Sequence, residues 1–153
     1  MPAEIGQPAP DFTLPATTGE KISLSQYKGE KPVTLVFIPF AFTGVCQGEL
    51  CEIRDDLSRF GKGGAQVLAI SCDTGPAQKL WAEQQGYTFP LLSDFWPHGQ
   101  VAKAYGAFNE ERGCANRVTV VIGKDGTIVD RFETENLGTA RTTDRYVEAL
   151  AKV

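Results

Sequence analysis

The sequence predicts an α/β protein, with a mixed central sheet flanked by helices and a small hairpin ahead of it. Three observations carry this reading. Short runs of β-branched and apolar residues alternate with stretches whose apolar residues recur every three or four positions. The last two strand-like runs are separated by a tight turn signal, Lys124-Asp125-Gly126. No repeat, low-complexity tract or long linker divides the 153 residues, so residues 1–153 are expected to form one domain.

Each element follows from local pattern. Ala9-Pro10-Asp11-Phe12-Thr13-Leu14 alternates polar and apolar residues, Ala16-Thr17-Thr18-Gly19 turns back, and Ile22-Ser23-Leu24 resumes the alternation, so residues 11–24 read as a hairpin. Val33-Thr34-Leu35-Val36-Phe37-Ile38 is apolar at all but Thr34, which suits a central strand buried on both faces. Pro39 ends it. A helix is expected from about Gly44 to Phe60, on the spacing of Leu50, Ile53, Leu57 and Phe60, with Gly61, Gly63 and Gly64 as its stop. Ala65–Ser71 reads as a second buried strand and Pro76–Gln85 as a second helix. A short strand at Phe89–Leu92 and a short helix at Gln100–Tyr105 follow. Val118–Ile122 and Thr127–Phe132 form a hairpin, and Thr142 or Thr143 caps a final helix with Tyr146, Val147 and Leu150 on its inner face. The order β-α-β-α, hairpin, helix is the thioredoxin-like plan with extra N-terminal strands.

Composition narrows the function. A net charge of −4 and a pI near 5.0 would repel phosphate backbones and anionic membranes, which argues against nucleic acid as a partner. The longest strand-like apolar run, Val33 to Ile38, is far short of the roughly 20 residues that span a bilayer. The first residues lack the basic-then-apolar pattern of a secretory signal, so a reducing cytoplasm is the expected compartment. There, four cysteines are expected as thiols or redox participants. Cys-x-x-Cys spacing is absent and the single histidine, His98, lies beside Pro97, so a metal site is not expected.

The informative stretch is Pro39-Phe40-Ala41-Phe42-Thr43-Gly44-Val45-Cys46-Gln47-Gly48-Glu49, which joins a buried strand to a helix. It places Cys46 in the first turn, where unpaired backbone N–H groups present partial positive charge and favour a thiolate over a thiol. The thiolate is the nucleophile. Thr43, three residues earlier, supplies a hydroxyl that can hold the sulfur and a substrate oxygen together. Pro39 has no N–H and its ring can shield the sulfur. Glu49, at i+3 from Cys46, can orient a cation from elsewhere in the chain. Taken alone, a cysteine after a strand is more often a small buried apolar side chain, so these residues make Cys46 a candidate and no more.

Pro39, Thr43 and Cys46 match the Pro-x-x-x-Thr-x-x-Cys motif of the peroxiredoxins, placed between the central strand and the first long helix as in that family. The resemblance extends to Ala9-Pro10-Asp11-Phe12, to Phe89-Pro90-Leu91-Leu92-Ser93-Asp94 and to Arg117 at the start of a late strand, and so covers nearly the whole chain. It implies a thiol-dependent peroxidase that reduces hydrogen peroxide and organic hydroperoxides in antioxidant defence. Cys46 would be the peroxidatic cysteine, Thr43 its hydroxyl partner, Pro39 the shielding proline and Arg117 the guanidinium that stabilises thiolate and departing oxygen. Without the resemblance, Arg117 reads as a surface arginine. Cys46 would pass through a sulfenic acid, and the implied mechanism needs no metal, flavin, haem or other cofactor.

The recycling step reads two ways. The spacing of Cys46 and Cys51 resembles Q-type (bacterioferritin-comigratory) peroxiredoxins, in which the second cysteine resolves the sulfenic acid as an intramolecular disulfide. Helix geometry puts Cα atoms five residues apart at roughly 8.5 Å, on different faces, whereas a disulfide needs about 4.4 to 6.8 Å. The first turns would have to unwind, and Gly44 and Gly48 lower the cost. Phe40-Ala41-Phe42-Thr43-Gly44, Phe95-Trp96-Pro97-His98-Gly99 and Ala115-Asn116-Arg117 instead resemble the alkyl hydroperoxide reductase E group of actinobacteria, described as one-cysteine enzymes reduced from outside. The implied reductants are thioredoxin, a mycoredoxin or glutaredoxin-like protein, or a low-molecular-weight thiol. Cys51 departs from that one-cysteine description. Cys114 is a second candidate resolver, and Cys72 reads as packing at a strand end. The family commonly dimerises, and Phe42, Trp81 and Phe108 are candidates for a homodimer contact. Two other readings stand beside this one: a thioredoxin-type thiol–disulfide oxidoreductase, which would need cysteine at position 49, and a redox sensor oxidised without turnover.

Overall fold

A five-stranded mixed sheet organises the chain and sets the N-terminus of the first helix against its middle. The structure, a computed structural model, describes residues 3–60 and 64–153. Its elements run β1 (Thr13–Pro15), β2 (Lys21–Ser23), a 3-10 turn (Leu24–Tyr27), β3 (Val33–Phe37), α1 (Gly44–Asp55), α2 (Leu57–Phe60), β4 (Gln66–Ser71) and α3 (Gly75–Gln85). There follow β5 (Leu91–Ser93), α4 (Gln100–Ala104), β6 (Phe108–Asn109), β7 (Cys114–Ala115), β8 (Val118–Ile122), β9 (Ile128–Glu133) and α5 (Thr143–Leu150). The sheet order is β5-β4-β3-β8-β9, with β3 at the centre, parallel to β4 and antiparallel to β8. This is the thioredoxin-like plan read from the sequence, with the antiparallel hairpin β1–β2 at its N-terminal side.

The two-residue period of β3 builds two cores. Val33, Leu35 and Phe37 face a layer formed by Phe12, Leu14 and Ile22 of the N-terminal segment and by Val101 and Ala102 of α4. Val36 and Ile38 face the opposite layer, with Cys46, Leu50 and Ile53 of α1, Trp81 of α3 and Tyr146 and Leu150 of α5. Every residue of β3 and β8 is buried, as strands covered on both faces require.

Some expectations are corrected. The helix expected over 44–60 is two helices, because Asp56 leaves helical geometry (φ −139°, ψ 54°). Its carboxylate accepts from Ser58 Oγ (3.3 Å) and pairs with Arg59 Nε (3.0 Å), so a short acidic side chain starts α2 afresh. Of the glycines expected to stop that helix, Gly61 and Gly63 lie outside the described residues. The strand expected at 89–92 lies at Leu91–Ser93. In α5, Thr142 caps by accepting from the Arg145 N–H, but the inner face is Tyr146, Ala149 and Leu150. Val147 is 40% exposed, since it lies about a quarter-turn from that face. The hairpin β6–β7 was not expected, because two-residue strands are too short to show a period.

Candidate active site

At the carboxyl end of β3 the chain must turn sharply to start α1, and the residues there do so in sequence. Pro39 is buried in a bend immediately after Ile38. The Ala41 N–H donates to Asp73 Oδ2 (2.8 Å), tying the turn to the loop after β4. Phe42 adopts φ +62°, the left-handed region that a bulky side chain occupies at a cost of about 1–2 kcal/mol. That reversal leaves Thr43 extended (φ −110°, ψ 148°) as the N-cap, so α1 opens at Gly44 and Cys46 is its third residue. The first helical bond is Gln47 N–H to Thr43 O (2.9 Å). The N–H groups of Gly44, Val45 and Cys46 have no acceptor among the described residues. Cys46 itself is fully buried, its side chain packed into the α1–α3–α5 core.

One turn along α1, Glu49 is also buried and is shared by two buried arginines. Arg117 Nη1 donates to Glu49 Oε1 (2.6 Å), while its Nε donates to Leu137 O (2.7 Å). Arg141 clamps the same carboxylate with Nη2 on Oε1 (2.8 Å), Nε on Oε2 (2.9 Å) and its backbone N–H on Oε2 (2.8 Å). Its Nη1 reaches Phe37 O and Val118 O (both 2.8 Å), carbonyls of the two adjacent strands β3 and β8. Burial alone would push the Glu49 carboxyl up, but the Arg141 hydrogen bonds and the two positive charges outweigh it and hold the carboxyl below its usual range. Two cations for one carboxylate leave a net positive charge next to the helix mouth.

Thr43 is exposed, and its Oγ1 lies 2.8 Å from Phe40 O. A carbonyl only accepts, so the Thr43 proton is committed to Phe40 and its oxygen lone pairs remain to accept from an incoming O–H. No hydrogen bond joins Thr43 to the Cys46 sulfur among the described residues.

A catalytic-looking thiol at the N-terminus of a thioredoxin-like α1 is common to several chemistries, and comparison with known proteins decides among them. Residues 5–131 match the model of the AhpC/TSA family. The chain belongs to this peroxiredoxin family. It is a thiol-dependent peroxidase. It is 50% identical over 148 residues to alkyl hydroperoxide reductase E of Mycobacterium tuberculosis, covering 96% of this chain and 95% of that protein. It is 37% identical over 134 residues to a putative peroxiredoxin bcp of Coxiella burnetii, covering 84% and 87%. The peroxidoxin BcpB structure from Mycobacterium tuberculosis superimposes with a TM-score of 0.83 at 32% identity, over 98% of this chain and 96% of that one. Peroxiredoxins as a family use hydroperoxides and thiol reductants and often dimerise.

In this peroxiredoxin all four cysteines are free thiols. Cys51 is not brought to Cys46: α1 is continuous through both, and the Cys51 sulfur faces Tyr87 Oη (3.6 Å) and Gln85 Oε1 (3.7 Å). Cys114, in β7, is fully buried, and burial pushes its thiol up. Cys72 is buried too; desolvation, with the negative charge of Asp94 behind it, pushes its thiol up to about 12. Neither thiol is exposed. Trp81 is fully buried in the monomer, its Nε1–H donating to Gln47 Oε1 (3.2 Å), so it is a core residue and lines no subunit contact. Phe42 is 50% exposed and Phe108 half-buried.

Sequence reasoning missed Arg141. It lies at the end of a loop without periodicity, and its one local mark is its place just before the Thr142 cap. Among the described residues no helix is long and apolar enough to cross a membrane, and no group of three or more His, Cys, Asp or Glu is placed to hold a metal ion.

Proposed function

We propose that Cys46 is the peroxidatic nucleophile, working with Thr43, Arg117 and Pro39, and with Glu49 and Arg141 holding the guanidinium in place. The supporting observation is the juxtaposition on α1: a sulfur at the third helical residue, three unpaired N–H groups beside it, and one turn on a carboxylate that ties down Arg117 at 2.6 Å. The Cys46 thiolate attacks the distal oxygen of ROOH in line. The S–O bond forms as the O–O bond breaks, and RO⁻ leaves to take up a proton as ROH. Negative charge building on the two separating oxygens meets the Cys46 N–H and the Arg117 guanidinium. Thr43 accepts the proton side of the peroxide and aligns it, while Pro39 keeps water from the sulfur. The product is Cys46 sulfenic acid.

The substrates under this reading are hydrogen peroxide and small organic hydroperoxides, because a fully buried sulfur admits only the slender O–O end of a molecule. Recycling runs through Cys51 after partial unwinding of α1, or through an external thiol: thioredoxin, a mycoredoxin or glutaredoxin-like protein, or a low-molecular-weight thiol. The four free cysteines suit a reducing cytoplasm. Residues 1–153 act as one domain, paired as a homodimer. Replacing Cys46→Ser tests the proposal, since a hydroxyl is far too weakly acidic to attack. Peroxide consumption with dithiothreitol as reductant is expected to fall to background, and wild-type turnover in that variant would refute the assignment.

A further inference from the structure

The layer packed against α1, which holds Cys46, Trp81 and Tyr87, carries an arrangement that the peroxidase chemistry does not use. Tyr87, just past the end of α3, directs its hydroxyl at α1 between the two cysteines: Oη lies 3.6 Å from Cys51 Sγ and 3.5 Å from Gln47 O. Gln85 Oε1 accepts from the same sulfur at 3.7 Å, and Trp81 holds the Gln47 side chain. The Tyr87 ring is fixed by stacking on Phe89 (centroids 5.3 Å apart) and by an edge contact with Trp81 (5.2 Å). Burial, and after it the contact with Cys51, pushes the Tyr87 hydroxyl up, so it stays protonated and able to donate. These contacts engage the segment that must unwind before Cys51 can meet Cys46.

We propose that Tyr87 is a positioning residue which latches Cys51 away from Cys46 and so sets how long the sulfenic acid survives for an external thiol to reach it. The inference rests on the reading of Cys46 as peroxidatic and Cys51 as resolving. The step it restrains is Cys46–SOH + Cys51–SH → Cys46–S–S–Cys51 + H2O: the S–S bond forms, the S–O bond breaks, and the Cys51 proton leaves with the hydroxide as water. With the latch closed, recycling passes to a second molecule. With it open, the protein resolves itself. One half-buried cysteine thereby supports either route, according to how often a tyrosine lets go.

The test uses the full chain with Tyr87→Phe, which keeps the ring and removes the hydroxyl, and separately Gln85→Leu. After one equivalent of hydrogen peroxide, rapid quenching and peptide mass mapping follow two rates: sulfenic acid at Cys46, trapped by dimedone, and the Cys46–Cys51 disulfide. Losing one hydrogen bond to the latch is expected to speed disulfide formation on the order of fivefold, with the sulfenic acid rate unchanged within about twofold. Val120→Ala, in the core on the other side of the sheet, is the control for general loosening and is expected to leave the disulfide rate alone. An unchanged disulfide rate in both latch variants, no such disulfide in any variant, or equal acceleration in Val120→Ala overturns the latch while leaving the peroxidase reading intact. Absence of sulfenic acid at Cys46 in the wild type overturns that reading and the latch together.

Discussion

Glu49 decides the site more than its place on a helix suggests. A buried carboxylate between two buried guanidiniums stands only because each charge is compensated; removing the carboxylate charge strands both arginines. Glu49→Gln is therefore expected to destabilise the protein by about 3–5 kcal/mol in urea unfolding, as for breaking a buried ion pair. Under the proposed assignment Arg117 acts on the chemistry instead. Arg117→Ala is expected to lower kcat/KM for hydrogen peroxide about 10²-fold, the size of losing one donor to a developing oxyanion; stopped-flow peroxide consumption measures it. Legibility divides the same residues. Pro39, Thr43, Cys46 and Glu49 lie within eleven residues that the strand-to-helix pattern isolates. Arg141 is 92 positions from the carboxylate it clamps, and its one local mark, the place before the Thr142 cap, says nothing of Glu49. Phe42 escaped for a related reason: its left-handed backbone follows from the turn that β3 and α1 impose, against the preference of its own side chain.

At the scale of the element, under the proposed reading α1 must be a firm helix for attack and a yielding one for internal resolution. Gly48 weakens it between the two cysteines, and a Cβ there would meet nothing within 4 Å. Gly48→Ala is expected to stabilise α1 by about 1 kcal/mol and to slow Cys46–Cys51 disulfide formation about fivefold; mass mapping over time after peroxide checks it. The final helix is pinned differently. Asp130 of β9, buried, accepts Arg145 Nη1 (2.6 Å) and Nη2 (2.9 Å) from α5 and Lys152 Nζ (3.0 Å). Burial would raise its carboxyl, but these partners outweigh it and hold it at about 2. A carboxyl lowered on folding contributes stability that is fully present above its unfolded value of about 4 and is lost as pH falls towards 2. Thermal melts are thus expected to drop through that window, and Asp130→Asn to flatten the drop. The break at Asp56 was not legible because the apolar spacing runs through it without interruption.

Across the whole molecule, the loops after the parallel strands β3 and β5 bring exposed aromatics to one edge: Phe40 and Phe42 beside the Cys46 turn, Phe95 and the 80% exposed Trp96 after β5. An edge so apolar around the site suits a subunit contact. Sedimentation velocity is expected to give a dimer, shifted towards monomer by Trp96→Glu. The sheet and its helices were legible because strand and helix periods differ and β3 and β8 are apolar throughout. Burial was not, which is why Trp81 stood among the candidates for a subunit contact until its packing was seen. The account turns on one sulfur reacting first. Mapping the peptides of reduced wild-type protein after a single equivalent of hydrogen peroxide, with dimedone present, tests it most directly. The account predicts dimedone on Cys46 ahead of Cys51, Cys72 and Cys114. Peroxide consumed while Cys46 remains an unmodified thiol would contradict it.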